Sequence, residues 1–120
     1  MIKNDLDWYC QLFIDAPLDT DSLRNLIVEF TNGQPVAGSF VENKFLEINV
    51  RKSHDWDESK KNDPYKGFLF YKFFLDIVPK TDDIKFEDYV QQIKSLMAGL
   101  RAKGFKVVPA CDYEDLLLNK

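Results

Sequence analysis

The chain's single histidine, His54, lies in the string HDWDESK beside Asp55, Asp57 and Glu58. One imidazole and three carboxylates are donor types that a divalent metal accepts. Their spacing follows no metal-binding pattern and no second donor cluster is fixed by the sequence, so no metal is expected. The string reads as a solvated loop, or as an acidic loop reaching for a basic partner with Trp56 as its anchor. A second group sets Cys111 beside Asp112, Glu114 and Asp115. Acidic neighbours raise a thiol's pKa, which opposes reactivity. These acids are therefore expected to cap a helical turn or to rim a binding surface. No glycine-rich phosphate loop, nucleophile elbow or zinc spacing occurs. A single loop histidine does not suit a serine–histidine or cysteine–histidine engine. No catalytic residue and no cofactor is assigned, and a small enzyme of unknown reaction is kept only as an alternative.

The 120 residues suit one domain spanning 1–120, with a core that needs no metal or staple. A net charge of -4 argues against a partner held by phosphate electrostatics. No apolar run approaches the roughly 20 residues of a membrane span. The opening MIKNDLDWYC lacks the apolar segment of a signal peptide. Two cysteines, Cys10 and Cys111, are too few for a disulfide scaffold. A cytoplasmic, reduced protein without a membrane partner is expected.

The elements that would position these residues follow from periodicity. Trp8 to Asp15 alternates, with Trp8, Cys10, Leu12 and Ile14 on the core face. Asp19 or Thr20 can cap a helix whose stripe is Leu23, Leu26, Ile27 and Phe30, stopped at Asn32-Gly33. Val36–Val41 and Phe45–Lys52 read as a hairpin turning at Glu42–Lys44. Ser53–Lys66 is polar and rich in breakers, hence a loop. Gly67–Pro79, GFLFYKFFLDIVP, reads as a central strand. Leu69, Tyr71, Phe73, Leu75 and Ile77 would share its helix-covered face. A second helix carries Phe86, Tyr89, Val90, Ile93, Met97 and Leu100 and ends at Gly104. Phe105–Ala110 closes the sheet at an edge, where Pro109 is tolerated. Asp112 could cap a final turn laying Leu116, Leu117 and Leu118 on the body.

This order implies an α+β fold of ferredoxin-like, split βαβ type. It would be an antiparallel sheet with two helices on one face and one extra short strand. The first and last strands would be neighbours, bringing Cys10 near Cys111 as packed, reduced thiols that could bridge on oxidation. The uncovered sheet face would carry Tyr9, Phe13, Phe45, Phe68, Phe70 and Phe74. So many large aromatics would make a patch larger than a monomer ordinarily exposes. It would be covered by the chain's own long loop or tail, or it would bind. The favoured binding reading is non-catalytic attachment to another protein or to a second copy. The contact surface would be Tyr9, Phe13, Phe68, Phe70 and Phe74, with His54, Asp55, Trp56, Asp57, Asp112, Glu114 and Asp115.

Two resemblances bear on this. Lys66–Phe73, KGFLFYKF, is similar to the octamer motif of the RNA-recognition-motif family, and Leu12-Phe13-Ile14 looks like the start of its hexamer motif. The resemblance implies single-stranded nucleic-acid binding, with bases stacked on Phe13, Phe68 and Phe70. Leu69 departs from the family's Gly or Ala, Tyr71 from its Val, and the acidic charge is adverse. More broadly, the layout and the closing VVPACDYEDLL resemble a group of small uncharacterised bacterial ferredoxin-like proteins with a similar string at Ala110–Asp115. That resemblance implies a bacterial source and no known chemistry. Small acidic domains of this kind often serve as immunity proteins, which bind and block a toxin.

Overall fold

A computed structural model describes residues 7–118 of the chain. Its first strand, β1 (Cys10–Asp15), alternates as expected, with Cys10, Leu12 and Ile14 fully buried. Helix α1 (Thr20–Thr31) starts where the Asp19 carboxylate accepts the Ser22 amide at 2.7 Å. It stops at Asn32, whose left-handed backbone (φ 52°) turns its N–H back to the last carbonyls. Two short strands follow, β2 (Gln34–Pro35) and β3 (Phe40–Glu42), then β4 (Leu46–Lys52). The sheet therefore has two short extra strands where the sequence suggests one. Gly38, at φ 76°, bends the chain inside the expected Val36–Val41 strand and leaves only its end to pair.

The largest departure is in Gly67–Pro79. Only Phe73–Pro79 is strand (β5), while Gly67–Phe70 forms a 3₁₀ turn. The cause lies upstream. Asp63 accepts the Tyr65 and Lys66 amides at 2.8 and 3.0 Å, with Pro64 between, which is a helix-start arrangement. The turns it starts run on through Gly67 and Leu69, whose amides donate to Asp63 and Lys66 carbonyls. Leu69 is consequently exposed rather than under the helices. Helix α2 (Phe86–Ala102) buries Phe86, Tyr89, Val90, Ile93, Leu96, Met97 and Leu100. Gly104, at φ 89°, then turns the chain into β6 (Lys106–Ala110), and a short helix α3 (Glu114–Leu118) follows. In α3 only Leu117 is buried, and Leu116 and Leu118 are exposed.

All pairings are antiparallel, in the order β2-β3-β4-β5-β1-β6. The fold is α+β. Helices α1 and α2 contact each other and the sheet, and the core lies between, built on Leu12, Ile14, Ile48, Phe73, Leu75, Ile77 and the α2 stripe. Phe45 belongs to this side, not to the open face. It precedes β4, packs against the core, and lines a cleft with Phe30 of α1 and Gln92 of α2. Among the described residues no helix is long and apolar enough to cross a membrane.

Each outer edge of the sheet carries a proline and side-chain contacts to its backbone. At β6, Pro109 has no N–H, Arg101 Nη2 donates to the Val107 carbonyl at 2.6 Å, and Glu114 accepts the Cys111 amide at 3.2 Å. At the other edge Pro35 again removes a donor, while Arg24 Nη2 donates to the Val36 and Phe40 carbonyls. Each edge thus lacks a donor that an added strand would use.

Candidate functional site

The face of the sheet opposite the helices is where the sequence placed an aromatic platform. The structure covers the middle of it. The Gly67–Phe70 turn lies against β1, and Phe68 meets Phe13 edge-on with ring centroids 5.2 Å apart. Phe74 flanks the same ring at 6.3 Å, and Phe13 is left 9% exposed. Phe13 is thus part of a second, smaller apolar cluster under the chain's own loop. The string KGFLFYKF does not lie along one strand, so Phe68 and Phe70 cannot present bases side by side on a sheet with Phe13. The nucleic-acid reading loses its geometric premise there.

Residues 53–72 act as a lid laced to the sheet. The Ser53 amide donates to the Lys72 carbonyl at 2.8 Å and the Asp57 amide to the Phe70 carbonyl at 3.1 Å. Lys61 reaches across to β1, with Nζ 3.2 Å from Asp15 and 2.9 Å from Glu58. Gly67 is where the lid is tightest: a Cβ there would meet the Lys61 carbonyl oxygen at 2.1 Å. A backbone approach that close admits only glycine.

The acidic loop is spent on its own architecture. Asp57 accepts the Ser59 amide and hydroxyl, which hold its carboxyl below the usual range. Glu58 takes the Lys61 ammonium and the Trp56 indole N–H, at 2.9 and 2.6 Å, and is lowered likewise. Trp56 sits under the Lys52 and Lys72 ammonium groups, 5.2 and 4.9 Å from its ring centroid. His54 and Asp55 are exposed beside it. Among the described residues no three His, Cys, Asp or Glu side chains converge as a metal site.

The rest of the open face is mixed rather than apolar. The Tyr9 hydroxyl donates to Asp76, and burial followed by that bond pushes its pKa up. Arg51 lies 3.9 Å from Asp76 and over the Phe74 ring. What stays exposed and large on the lid is Tyr65 at 86%, with Leu69 and Trp56 near 40% and 37%. Of these, the sequence singles out Trp56; Tyr65 falls in the expected loop and Leu69 in the expected strand. The Asp63-Pro64 cap was the signal that puts both on helical turns.

The acidic tail is also built in. Asp112 accepts the Asp7 amide at 3.1 Å, Glu114 takes the Cys111 amide, and Asp115 is exposed. Tyr113, which the sequence did not single out, is buried and donates its hydroxyl to the Trp8 carbonyl. Tyr89 donates to the same carbonyl at 2.6 Å. Together with Phe86 these rings close one end of the core, and burial pushes both tyrosine hydroxyls up. Cys10 and Cys111 meet beside them as free thiols. The Cys111 thiol is lowered by the hydrogen bond from Cys10 and by the Tyr113 amide, which outweigh its acidic neighbours.

A cleft of about 540 Å³ lies at the start of α2, lined by Lys44, Phe45, Asp83, Lys85 and Asp88 among others. Another of about 340 Å³ lies beside Trp56, among Asp15, Glu58, Lys61, Lys72 and Lys106. Neither is lined by His54 or Cys111. No family model matches the sequence, and no curated protein and no solved structure matches it either.

Proposed function

We propose that the chain is a non-catalytic protein-binding domain of ferredoxin-like, split βαβ type that meets its partner through the outer surface of the 53–72 lid. The strand order β4-β5-β1-β6 around two helices supports the fold reading, with β2 and β3 as an added hairpin. The observation that carries the binding reading is Tyr65. It stands 86% exposed on a segment whose backbone is fixed by the Asp63 cap and by hydrogen bonds to Phe70 and Lys72. A large exposed aromatic on a hydrogen-bonded backbone is the residue type that anchors interfaces. Trp56 and Leu69 extend the surface, and His54 and Asp55 supply its polar rim. The sheet edges, each lacking a donor, favour side-chain docking over strand addition.

The specific version is a bacterial immunity or regulatory protein of the cytoplasm. It rests on the small acidic frame and on the Ala110–Asp115 string. Immobilised wild-type chain and the double variant Tyr65→Ser/Leu69→Ser are exposed to bacterial lysate, and the solution mass of each is measured. A protein retained by the wild type and lost from the variant supports the reading, with a dimer that the variant abolishes identifying a second copy as the partner. Equal retention by both, or no partner and a monomer for both, overturns it.

A further inference from the structure

The register at the β1–β6 edge sets up a covalent option. Gln11 faces Ala110 at the end of the ladder, and continuing that register by one residue sets Cys10 opposite Cys111, just beyond β6. Pro109 lacks an N–H, the Val107 carbonyl is held by Arg101, and the Cys111 amide is held by Glu114. Residues 107, 109 and 111 therefore turn their backbone groups away from β1. Opposite residues at such positions form the narrow pair of an antiparallel ladder, with Cα atoms about 4.5 Å apart and side chains closest. That spacing lies inside the range of roughly 4.4–6.8 Å that a disulfide spans. Both thiols are free, and they lie close enough to shift one another's pKa in opposite directions. Their surroundings differ. Cys10 is wholly buried in the core, whereas Cys111 is partly open to solvent.

We propose that Cys10 and Cys111 are a peroxide-responsive thiol pair that closes into an intramolecular disulfide, fastening the start of the α3 segment to β1. Cys111, the accessible member, attacks hydrogen peroxide as its thiolate. The O–O bond breaks, an S–O bond forms, and hydroxide leaves, giving a sulfenic acid at Cys111. Cys10 then attacks that sulfur. The proton that Cys111 gave up on ionising neutralises the hydroxide, the S–S bond forms, and the sulfenic hydroxyl takes the Cys10 proton and departs as water. Two thiols and one peroxide become one disulfide and two waters. The hydrogen bond from Cys10 favours the thiolate at Cys111, where the first step needs it. No partner protein is needed, so the inference stands apart from the binding reading. It fastens Tyr113 and Leu117, which seal the end of the core beside Trp8 and Phe86.

The full chain, reduced and freed of reductant, is titrated with hydrogen peroxide and then alkylated under denaturing conditions. Intact mass and non-reducing electrophoresis are read. The expected product is a monomer lighter by two hydrogen atoms, with neither cysteine alkylated, restored by dithiothreitol. Its thermal midpoint should rise by about 10 °C over the reduced form, because the bridge ties together nearly the whole chain. In Cys10→Ala the sulfenic acid at Cys111 has no resolving thiol, so added oxygen or a disulfide-linked dimer replaces the internal bridge. Wild-type protein that gains oxygen at Cys111 or dimerises while Cys10 is still alkylated overturns the proposal. So does a wild-type chain whose two thiols both survive peroxide that oxidises Cys10→Ala.

Discussion

Replacing Gly67 by alanine sets two effects of opposite sign against each other. Gly67 opens the 3₁₀ turn, and its φ is not among the positive values of this chain. Alanine there would stabilise the turn by up to about 1 kcal/mol if backbone freedom were all that mattered. The added Cβ, however, would lie 2.1 Å from the Lys61 oxygen and 2.7 Å from the Lys61 carbonyl carbon. An ordinary contact requires the two backbone segments to separate by roughly 1.3 Å or more, a shift that rigid packing does not absorb. Moving Gly67 lifts Phe68 from Phe13, at a cost of about 0.5–1.5 kcal/mol for the ring pair. Exposing the buried Phe13 ring adds a fraction of the roughly 1.5–3 kcal/mol that full burial is worth. Loss of the Gly67–Asp63 backbone bond adds about 1 kcal/mol. The net expectation is destabilisation by about 2–3 kcal/mol in urea unfolding. Hydrogen exchange should show lost protection at the Asp57 and Gly67 amides before the core strands are affected. Gly38→Ala is the control, since its φ of 76° gives strain of about 1–2 kcal/mol with nothing within 4 Å to collide with. A Gly67→Ala protein that is more stable than wild type, with Asp57 still protected, would refute the close packing of lid on sheet.

Two further outcomes follow from the ends of the sheet. Tyr89 and Tyr113 are buried with their hydroxyls on the Trp8 carbonyl, and their pKa values lie above the ordinary value near 10. A raised folded-state pKa means the folded protein holds protons that the unfolded chain loses. Their contribution is complete below pH 10 and declines as pH rises above it. Unfolding free energy should fall steeply above pH 10, and Tyr89→Phe should make that slope shallower by about 1.4 kcal/mol per pH unit; an unchanged slope would contradict the burial of the hydroxyl. At the β6 edge, Arg101→Ala with Pro109→Val restores a free carbonyl and a free amide to the outer ladder. Sedimentation should show concentration-dependent association of the double variant and none for wild type, whereas a monomeric double variant would mean the edge is blocked by something else.

The helices and the first and last strands could be read from the sequence because each obeys one period over its whole length. The buried residues of α2 are the predicted stripe with Leu96 added, and β1 buries its even positions as alternation requires. Gly67–Phe70 misled because GFLF satisfies strand preference locally, and β preference reports fit to a pleated, half-buried surface more than backbone choice. The deciding information sat four residues earlier. Asp63 and Pro64 were treated as breakers, yet an aspartate followed by proline is also how a helical turn starts. The acids follow a related rule. Asp57, Asp63 and Glu114 look like a charged surface in a list of residues, but each accepts amides of its own loop. Short acidic side chains near turns are drawn first to local backbone donors. Tyr113 could have been found, since it and Leu117 stand one helical turn apart as apolar positions in a polar tail.

The surplus of aromatics on the open face has a consequence beyond packing. A six-stranded sheet with helices on one side leaves its other side to be solved separately, and this chain solves half of it. Phe13, Phe68 and Phe74 form a covered cluster at one end of the face, where Lys61 also crosses to Asp15. The other end is solved by polarity, with Tyr9, Asp76 and Arg51 joined above the strands. Neither end leaves a bare apolar sheet, and each outer edge lacks a donor. Large apolar side chains also stand exposed on the lid, at Tyr65 and Leu69, as Tyr9 and Val78 do on the face itself. Under the binding reading, the exposed Tyr65, Leu69 and Trp56 are the physical ground for testing residues 53–72 first.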